Sequence, residues 1–189
     1  MLTFDEVAHR YTWNGRVVPG VTTILKPLQD FSGIPPAVLS AKADLGTRVH
    51  LATELDDAGT LDEASITDDV RPYLEAWRQF KRVNDPLVVM AEQRVYHPVL
   101  GYAGTLDRVL FIRDEEWLVD LKTSAAVPVS AGPQTAAYAH ALGQPEIKRA
   151  ALLLRPDGAY LFSPLANPSD WAAFQSCLVI HRFKEQAHA

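Results

Sequence analysis

The sequence has little cysteine, since Cys177 is the only one among its 189 residues. An internal disulfide and an iron–sulfur cluster held by four cysteines of this chain are therefore excluded, and a reducing compartment is indicated. Long hydrophobic runs are also missing, because no apolar stretch approaches the roughly 20 residues that span a bilayer. The first ten residues, MLTFDEVAHR, lack the basic and apolar pattern of a secretory signal. We therefore expect a cytoplasmic protein with no membrane partner.

Basic residues are not in excess, and the formal net charge is −5 at pH 7. DNA-binding domains usually carry a basic surplus, so this charge argues against a large basic groove. The acidic residues are concentrated, however, because residues 51–70 contain seven Asp or Glu and no Lys or Arg. Carboxylates that bind a metal are also neutralised by it. The acidic total therefore weakens the case for a nucleic-acid partner without excluding one.

The length and the hydrophobic content of 48% are those of one globular domain over residues 1–189. Asn14-Gly15 predicts a hairpin over about 8–19, appended to the main fold, and residues 21–25 predict one helical turn capped by Thr22 or Thr23. Hydrophobic periodicity predicts helices over about 36–57, 69–83, 131–142 and 171–186, and strands over about 88–96, 102–112, 116–122, 147–154 and 159–164. The inner stripe of the last helix is expected to include Val179 and Phe183. This order predicts the α/β class, with a mixed central β-sheet flanked by helices.

The stretch 101–123 places charged residues in an otherwise apolar hairpin. Side chains alternate along a strand, so Asp120 and Lys122 face the same side. If the two arms pair about a turn at 113–115, Asp107 comes within reach of Asp120. Two neighbouring carboxylates repel each other, and a hard divalent cation such as Mg²⁺ relieves that repulsion. The alternative is a partly solvated hairpin with a surface Asp–Lys pair.

Four short motifs occur along the chain in a fixed order: Gly46-Thr-Arg-Val-His50, Gly104-Thr-Leu-Asp107, Asp120-Leu-Lys122 and Gln134-Thr-Ala-Ala-Tyr138. Over roughly residues 40–165 the chain thereby resembles the PD-(D/E)XK nuclease superfamily, and within it the RecB-type and phage-exonuclease-type branch. The resemblance implies a restriction-endonuclease-like core. It also implies a nuclease site that uses one or two Mg²⁺ or Mn²⁺ ions.

The resemblance implies roles for individual residues. It implies Asp107, Asp120 and Lys122 as catalytic residues, and His50, Asp107, Asp120 and the backbone carbonyl of Leu121 as metal ligands. Gln134 and Tyr138 would contact the DNA backbone or support the lysine. Glu92 is either an additional ligand, a group that orients the ligands, or an edge-strand charge. Glu54 lies one helical turn after His50, so a bond between the two is an alternative to a ligand role for His50.

The expected activity is metal-dependent hydrolysis of DNA phosphodiester bonds, by an exonuclease that acts in recombination, repair or phage DNA processing. Linear or single-stranded DNA ends are the expected partner, in the cytoplasm of a bacterial or phage-infected cell. A second copy of the chain or a recombination protein is an open further partner. Two alternatives remain: a nuclease-fold module that binds nucleic acid or protein without cleavage, and an α/β protein whose acidic cluster is structural.

Overall fold

A computed structural model describes residues 1–6 and 8–187. The strands over these residues are β1 (Leu2–Asp5), β2 (Arg10–Trp13), β3 (Arg16–Val18), β4 (Leu87–His97), β5 (Tyr102–Ile112), β6 (Glu115–Lys122), β7 (Lys148–Leu154) and β8 (Tyr160–Pro164). The helices are α1 (Val21–Ile24), α2 (Pro36–Asp57), α3 (Arg71–Asn84), α4 (Ala131–Leu142) and α5 (Asp170–Ala187). None of the helices over the described ranges combines the length and apolar character needed to cross a bilayer.

The central sheet has the strand order β4-β5-β6-β7-β8. Its neighbouring strands are antiparallel except for β6 and β7, which run parallel. A parallel pair needs a long crossover, and α4 supplies it between β6 and β7. The predicted α/β class with a mixed sheet is confirmed.

Helices cover both faces of the central sheet. On one face, Val49 and Ala52 of α2 and the aromatic residues of α3 pack on buried side chains of β5–β7, including Leu110 and Leu152. On the other face, α1, α4 and α5 enclose a second core around Tyr102. The sheet is apolar on both faces, so the charged residues it carries must lie near its ends or be paired.

The N-terminal residues form a second, three-stranded sheet in the order β1-β2-β3. The predicted hairpin is confirmed, and Asn14 and Gly15 have φ angles of 49° and 80°, as the preferred two-residue turn requires. Strand β1 was not predicted, because its four residues give too short an alternating pattern. This sheet is joined to the central one through a bridge between Gly20 and Ala103.

Several local expectations were wrong. The central hairpin turns through Arg113 and Asp114 alone, and Glu115 already pairs with Ile112 in the ladder. A threonine cap was expected for α1, but Gly20 is its N-cap and makes no side-chain bond. The predicted inner stripe of α5 included Val179 and Phe183, which are 66% and 72% exposed. The first half of α2 is also largely exposed, because its buried residues are confined to positions 49–53.

Candidate metal centre

The centre forms where strands β5 and β6 separate. Their ladder ends at the pair of Arg108 and Val119, although both strands continue beyond it. In the gap, the backbone N–H of Leu121 donates a 2.7 Å hydrogen bond to Oδ2 of Asp107. The Asp107 carboxylate thus accepts the hydrogen bond that a backbone carbonyl would accept in a continuous ladder. The backbone of β6 thereby fixes the orientation of the carboxylate.

Three side chains from different elements converge beside this gap. His50 Nδ1 of α2 lies 3.5 Å from Oε1 of Glu92 in β4 and 3.7 Å from Oδ1 of Asp107 in β5. All three potential ligand atoms lie within 4.8 Å of one another, and they are the one such group found among the described residues. Glu92 is therefore placed closer to the candidate centre than the sequence suggested.

The spacing of these atoms fits a small divalent cation. Ligands about 2.1 Å from an octahedral Mg²⁺ lie about 3.0 Å apart when adjacent and about 4.2 Å apart when opposite. The distances of 3.5 and 3.7 Å lie between these limits. One imidazole nitrogen and two carboxylates form a donor set that Mg²⁺ or Mn²⁺ accepts. The residues could therefore hold such an ion with small side-chain shifts.

The protonation of Asp107 and His50 reflects burial and the neighbouring charges. Burial raises the pKa of Asp107 to about 6, although the attraction of His50 and Lys122 outweighs the repulsion from Asp120 and Glu92. Burial opposes protonation of His50, but the carboxylates of Asp107 and Glu92 outweigh it and raise its pKa to about 9. Without a metal, a proton on His50 therefore balances the carboxylates, and a divalent cation would take the place of that proton.

Arg108 supports the centre from behind, and the sequence reasoning missed it. This side chain is fully buried. Its Nη1 donates to Glu92 Oε1 at 3.0 Å and to the Asp107 carbonyl at 2.7 Å. Its Nε donates to Asp57 Oδ2 at 2.9 Å, and its Nη2 donates to Thr53. The signal in the sequence was an arginine directly after Asp107 in an apolar strand, because a buried guanidinium requires carboxylate partners.

The backbone at Glu92 is unusual. Glu92 has a φ of 47°, a left-handed conformation that is uncommon for residues other than glycine. A register shift between Val88 and Met90 precedes it in the ladder with β5. Bulges and strained residues often re-aim a side chain near a functional site. Here the distorted strand turns the Glu92 carboxylate towards His50 and Arg108.

Asp120 and Lys122 form a pair beside the three-residue group. Lys122 Nζ lies 2.7 Å from Oδ2 of the buried Asp120, so the two side chains form a close ion pair. Burial opposes the charge on Lys122, but Asp120 and Asp107 outweigh it and raise its pKa, so the amine stays protonated. Asp120 is not part of the three-residue group. Its role as a ligand stays a prediction.

Gln134 and Tyr138 lie behind this pair. Gln134 Nε2 donates to Asp120 Oδ1 at 2.9 Å and to Tyr138 Oη at 3.3 Å, while Lys122 Nζ donates to Gln134 Oε1 at 3.4 Å. Both side chains are buried, so these bonds favour support of the lysine over contact with a substrate. A Cβ at Gly104 would overlap the Tyr138 ring, which explains the glycine of the second motif.

The two remaining candidate residues have different surroundings. The Leu121 carbonyl lies 3.3 Å from His50 Nε2, where it can fix the imidazole and leave Nδ1 facing the carboxylates. Its role as a metal ligand stays a prediction. Glu54 lines the same cleft as His50. Among the described residues, the ring nitrogens of His50 face Glu92, Asp107 and Leu121, and no bond to Glu54 is found.

The acidic stretch 51–70 is largely paired within the protein. Arg78 and Lys81 of α3 both bond Asp56, and Lys81 also bonds Asp57. Arg48 of α2 bonds Asp69 with Nη1 at 3.0 Å and Nη2 at 2.6 Å. These basic side chains are therefore paired with carboxylates of the same chain.

The candidate centre opens into a cleft of about 1140 Å³. His50, Glu92 and Lys122 line it, and residues of the N-terminal sheet form another part of its lining. A substrate could therefore reach the three-residue group from solvent. A scan against known protein families found no match, and a search of curated proteins found no relative.

Proposed function

We propose that this protein is a Mg²⁺- or Mn²⁺-dependent nuclease that hydrolyses DNA phosphodiester bonds. The observation that carries the proposal is the convergence of His50, Glu92 and Asp107 beside an open cleft, which His50 and Glu92 line. The Asp120–Lys122 pair lies on the neighbouring strand, as the resembled superfamily would require. The resemblance further leads us to propose a restriction-endonuclease-like core and exonuclease action in recombination, repair or phage DNA processing.

In this proposal His50, Glu92 and Asp107 would hold the first ion and Asp120 would supply a further carboxylate, while the Leu121 carbonyl fixes the His50 ring through Nε2. A bound divalent ion supplies charge stabilisation at the phosphate and lowers the pKa of a water. The protonated Lys122 donates to the attacking water or to a phosphate oxygen and stabilises charge that develops there. Gln134 bonds both Asp120 and Lys122, so it holds the lysine in place during the reaction.

One observation favours a second candidate, a nuclease-fold module that binds nucleic acid or protein without cutting. Lys122 pairs with Asp120, and the pKa of about 9 lets a protonated His50 pair with Glu92 and Asp107, so much of the site's charge balances without a metal. The convergence of His50, Glu92 and Asp107, at spacings that fit a divalent ion and beside an open cleft, favours a bound cation instead. We therefore prefer the nuclease.

A digestion assay separates the two candidates. The purified protein is incubated with end-labelled linear, circular and single-stranded DNA in Mg²⁺, Mn²⁺ or EDTA. If the protein is a nuclease, cleavage products should form only with Mg²⁺ or Mn²⁺. They should be absent with the Asp107→Asn variant and present with the control Asp68→Asn, which makes the same change at an exposed position. Binding without products in either metal would favour the second candidate. Products from linear but not circular DNA would identify an exonuclease.

A further inference from the structure

The cleft is larger than the candidate centre needs. Its volume of about 1140 Å³ exceeds the roughly 300–1,000 Å³ of small-molecule sites. Three of its walls come from α2, from the β4–β5 edge and from the N-terminal sheet. The last wall is not explained by metal binding, since the candidate ligands lie on α2, β4, β5 and β6.

Aromatic side chains line that wall. Phe4 of β1 pairs across the strands with Tyr11 of β2, and their ring centroids are 4.4 Å apart. His9 meets the Phe4 ring edge-on at 5.9 Å, and His9 is exposed. Phe4, His9 and Tyr11 all line the cleft. An aromatic cluster on a cleft wall is the usual platform for stacking nucleobases.

The aromatic wall is fixed relative to the candidate centre. Tyr11 Oη shares a 2.9 Å hydrogen bond with Oγ1 of Thr105, which is two residues before Asp107 on β5. Trp13 also stacks on Tyr96 of β4, with centroids 4.2 Å apart. Both contacts join the N-terminal sheet to strands that carry candidate ligands. A group bound on this wall would therefore be held at a defined position relative to the centre.

One weakly engaged cation, Arg94, reaches the aromatic wall from β4. The Arg94 guanidinium is 5.6 Å from the Phe4 ring centroid, and its side chain is 45% exposed. Its ion pair with the exposed Glu6 is long, at 3.8 Å. Arg94 can therefore turn towards a phosphate or stack beside a base at little cost.

We propose that Phe4, His9 and Arg94 form a subsite for an unpaired nucleobase and its phosphate, next to the candidate centre. This inference rests on the proposed nuclease function and deepens it, because it makes a single-stranded segment the substrate at the site. Bases in a duplex stack on one another and leave no face free for Phe4. The cleft also carries few cations for two phosphate backbones, whereas stacking needs little net positive charge.

Binding of short DNA strands tests the subsite without depending on cleavage. The protein is titrated into a fluorescein-labelled oligothymidylate of about 12 nucleotides, a length within the site sizes of single-strand binders. The buffer contains Ca²⁺ in place of Mg²⁺ or Mn²⁺, and fluorescence anisotropy reports the binding. Phe4→Ala should bind about tenfold more weakly than wild type, the low end of the cost of losing one base–aromatic stack. Phe183→Ala is the matched control, because Phe183 is 72% exposed on α5, away from the cleft.

Two further measurements isolate stacking from folding. Phe4→Leu keeps an apolar side chain against Tyr11 but removes the aromatic ring. Like Phe4→Ala, it should bind the oligothymidylate more weakly than wild type, while its circular dichroism spectrum is unchanged. The wild type should bind a strand of the same length that lacks all bases about tenfold more weakly than oligothymidylate. Equal wild-type affinity for these two strands, no wild-type binding to oligothymidylate, or unchanged binding in Phe4→Ala would each overturn the subsite.

The outcomes also separate this inference from the proposed function. Tight, Phe4-dependent binding without metal-dependent products would keep the subsite and remove the nuclease. Metal-dependent products with unchanged single-strand binding in Phe4→Ala would keep the nuclease and remove the subsite.

Discussion

At the scale of single residues, Asp107 links the strand backbone to the candidate centre. One of its oxygens accepts the Leu121 N–H at 2.7 Å, and the other lies 3.7 Å from His50. Burial raises its pKa to about 6, so the ionised form needs a positive partner. Without a metal that partner is the protonated His50, and a divalent cation would take its place.

Replacing this carboxylate should separate metal binding from the role of the lysine. In Asp107→Asn we expect metal binding to be lost in calorimetry and cleavage to fall on the order of 10³-fold or more, since several kcal/mol of the barrier depend on the ion. Lys122→Ala should keep metal binding and lose cleavage. A Lys122→Ala variant that cleaves at the wild-type rate would contradict the role of the lysine.

The protonation of His50 gives metal binding a pH dependence. The pKa of His50 is raised to about 9, so below that pH an imidazolium must lose its proton before Nδ1 can bind a metal. Metal affinity should therefore rise with pH, by up to about tenfold per unit, and level off near pH 9. Calorimetry with Mn²⁺ at pH 6, 7 and 8 measures this slope. In His50→Gln the slope should be clearly reduced, and an unchanged slope would show that another group releases the proton.

At the scale of elements, a row of buried charges ties α2 and α3 to the central sheet. Arg108 of β5 joins Asp57 at the end of α2 to Glu92 of β4, and Asp57 also accepts from Trp77 and Lys81 of α3. This network aligns the helix that carries His50 with the strands that carry Glu92 and Asp107. We infer that Arg108 is a positioning residue for the centre.

Removing Arg108 should be costly for stability. In Arg108→Met the half-buried Glu92 loses its guanidinium partner and the buried Asp57 keeps only its α3 partners, and breaking a buried pair costs about 3–5 kcal/mol. Urea unfolding in EDTA measures the change in the free energy of unfolding. Arg82→Met, at an exposed position of α3, is the control and should stay within about 0.5 kcal/mol of wild type. A near-neutral Arg108→Met would show that the network does not hold the elements together.

Phenylalanine-to-alanine substitutions at a buried and at an exposed position of α5 should change the stability by different amounts. Phe174 is fully buried beside Tyr102, with ring centroids 4.8 Å apart, whereas Phe183 is largely exposed. Phe174→Ala should lower the free energy of unfolding by about 3–5 kcal/mol, and Phe183→Ala should change it by less than about 0.5 kcal/mol. Similar losses in both variants would show that Phe183 is covered in solution, for example by a second copy of the chain.

At the scale of the whole molecule, strong periodic patterns predicted most of the fold. Helices α2 to α4 and the β5–β6 hairpin follow the sequence closely, because each is long and has a clear apolar pattern. The burial of α5 was predicted less well, since Phe183 is 72% exposed. Apolar residues show which face of a helix can be buried, but only the tertiary arrangement decides how much of it is buried.

The candidate site was predictable to the extent that its residues lie in short motifs. His50 and Asp107 were named from the sequence and now lie together. The importance of Glu92 and Arg108 could not be judged, because it arises from a bulged strand and from contacts between distant segments. The aromatic wall of the cleft could not be predicted for the same reason, since β1 and β2 lie near β4 and β5 only in the folded chain.

The most direct test of the metal centre is anomalous diffraction from a crystal grown with Mn²⁺. We predict one peak about 2.1–2.3 Å from His50 Nδ1, Glu92 Oε1 and Asp107 Oδ1. A second peak beside Asp120 would fit a two-metal site. Full Mn²⁺ saturation in solution with no peak among His50, Glu92 and Asp107 would contradict the account.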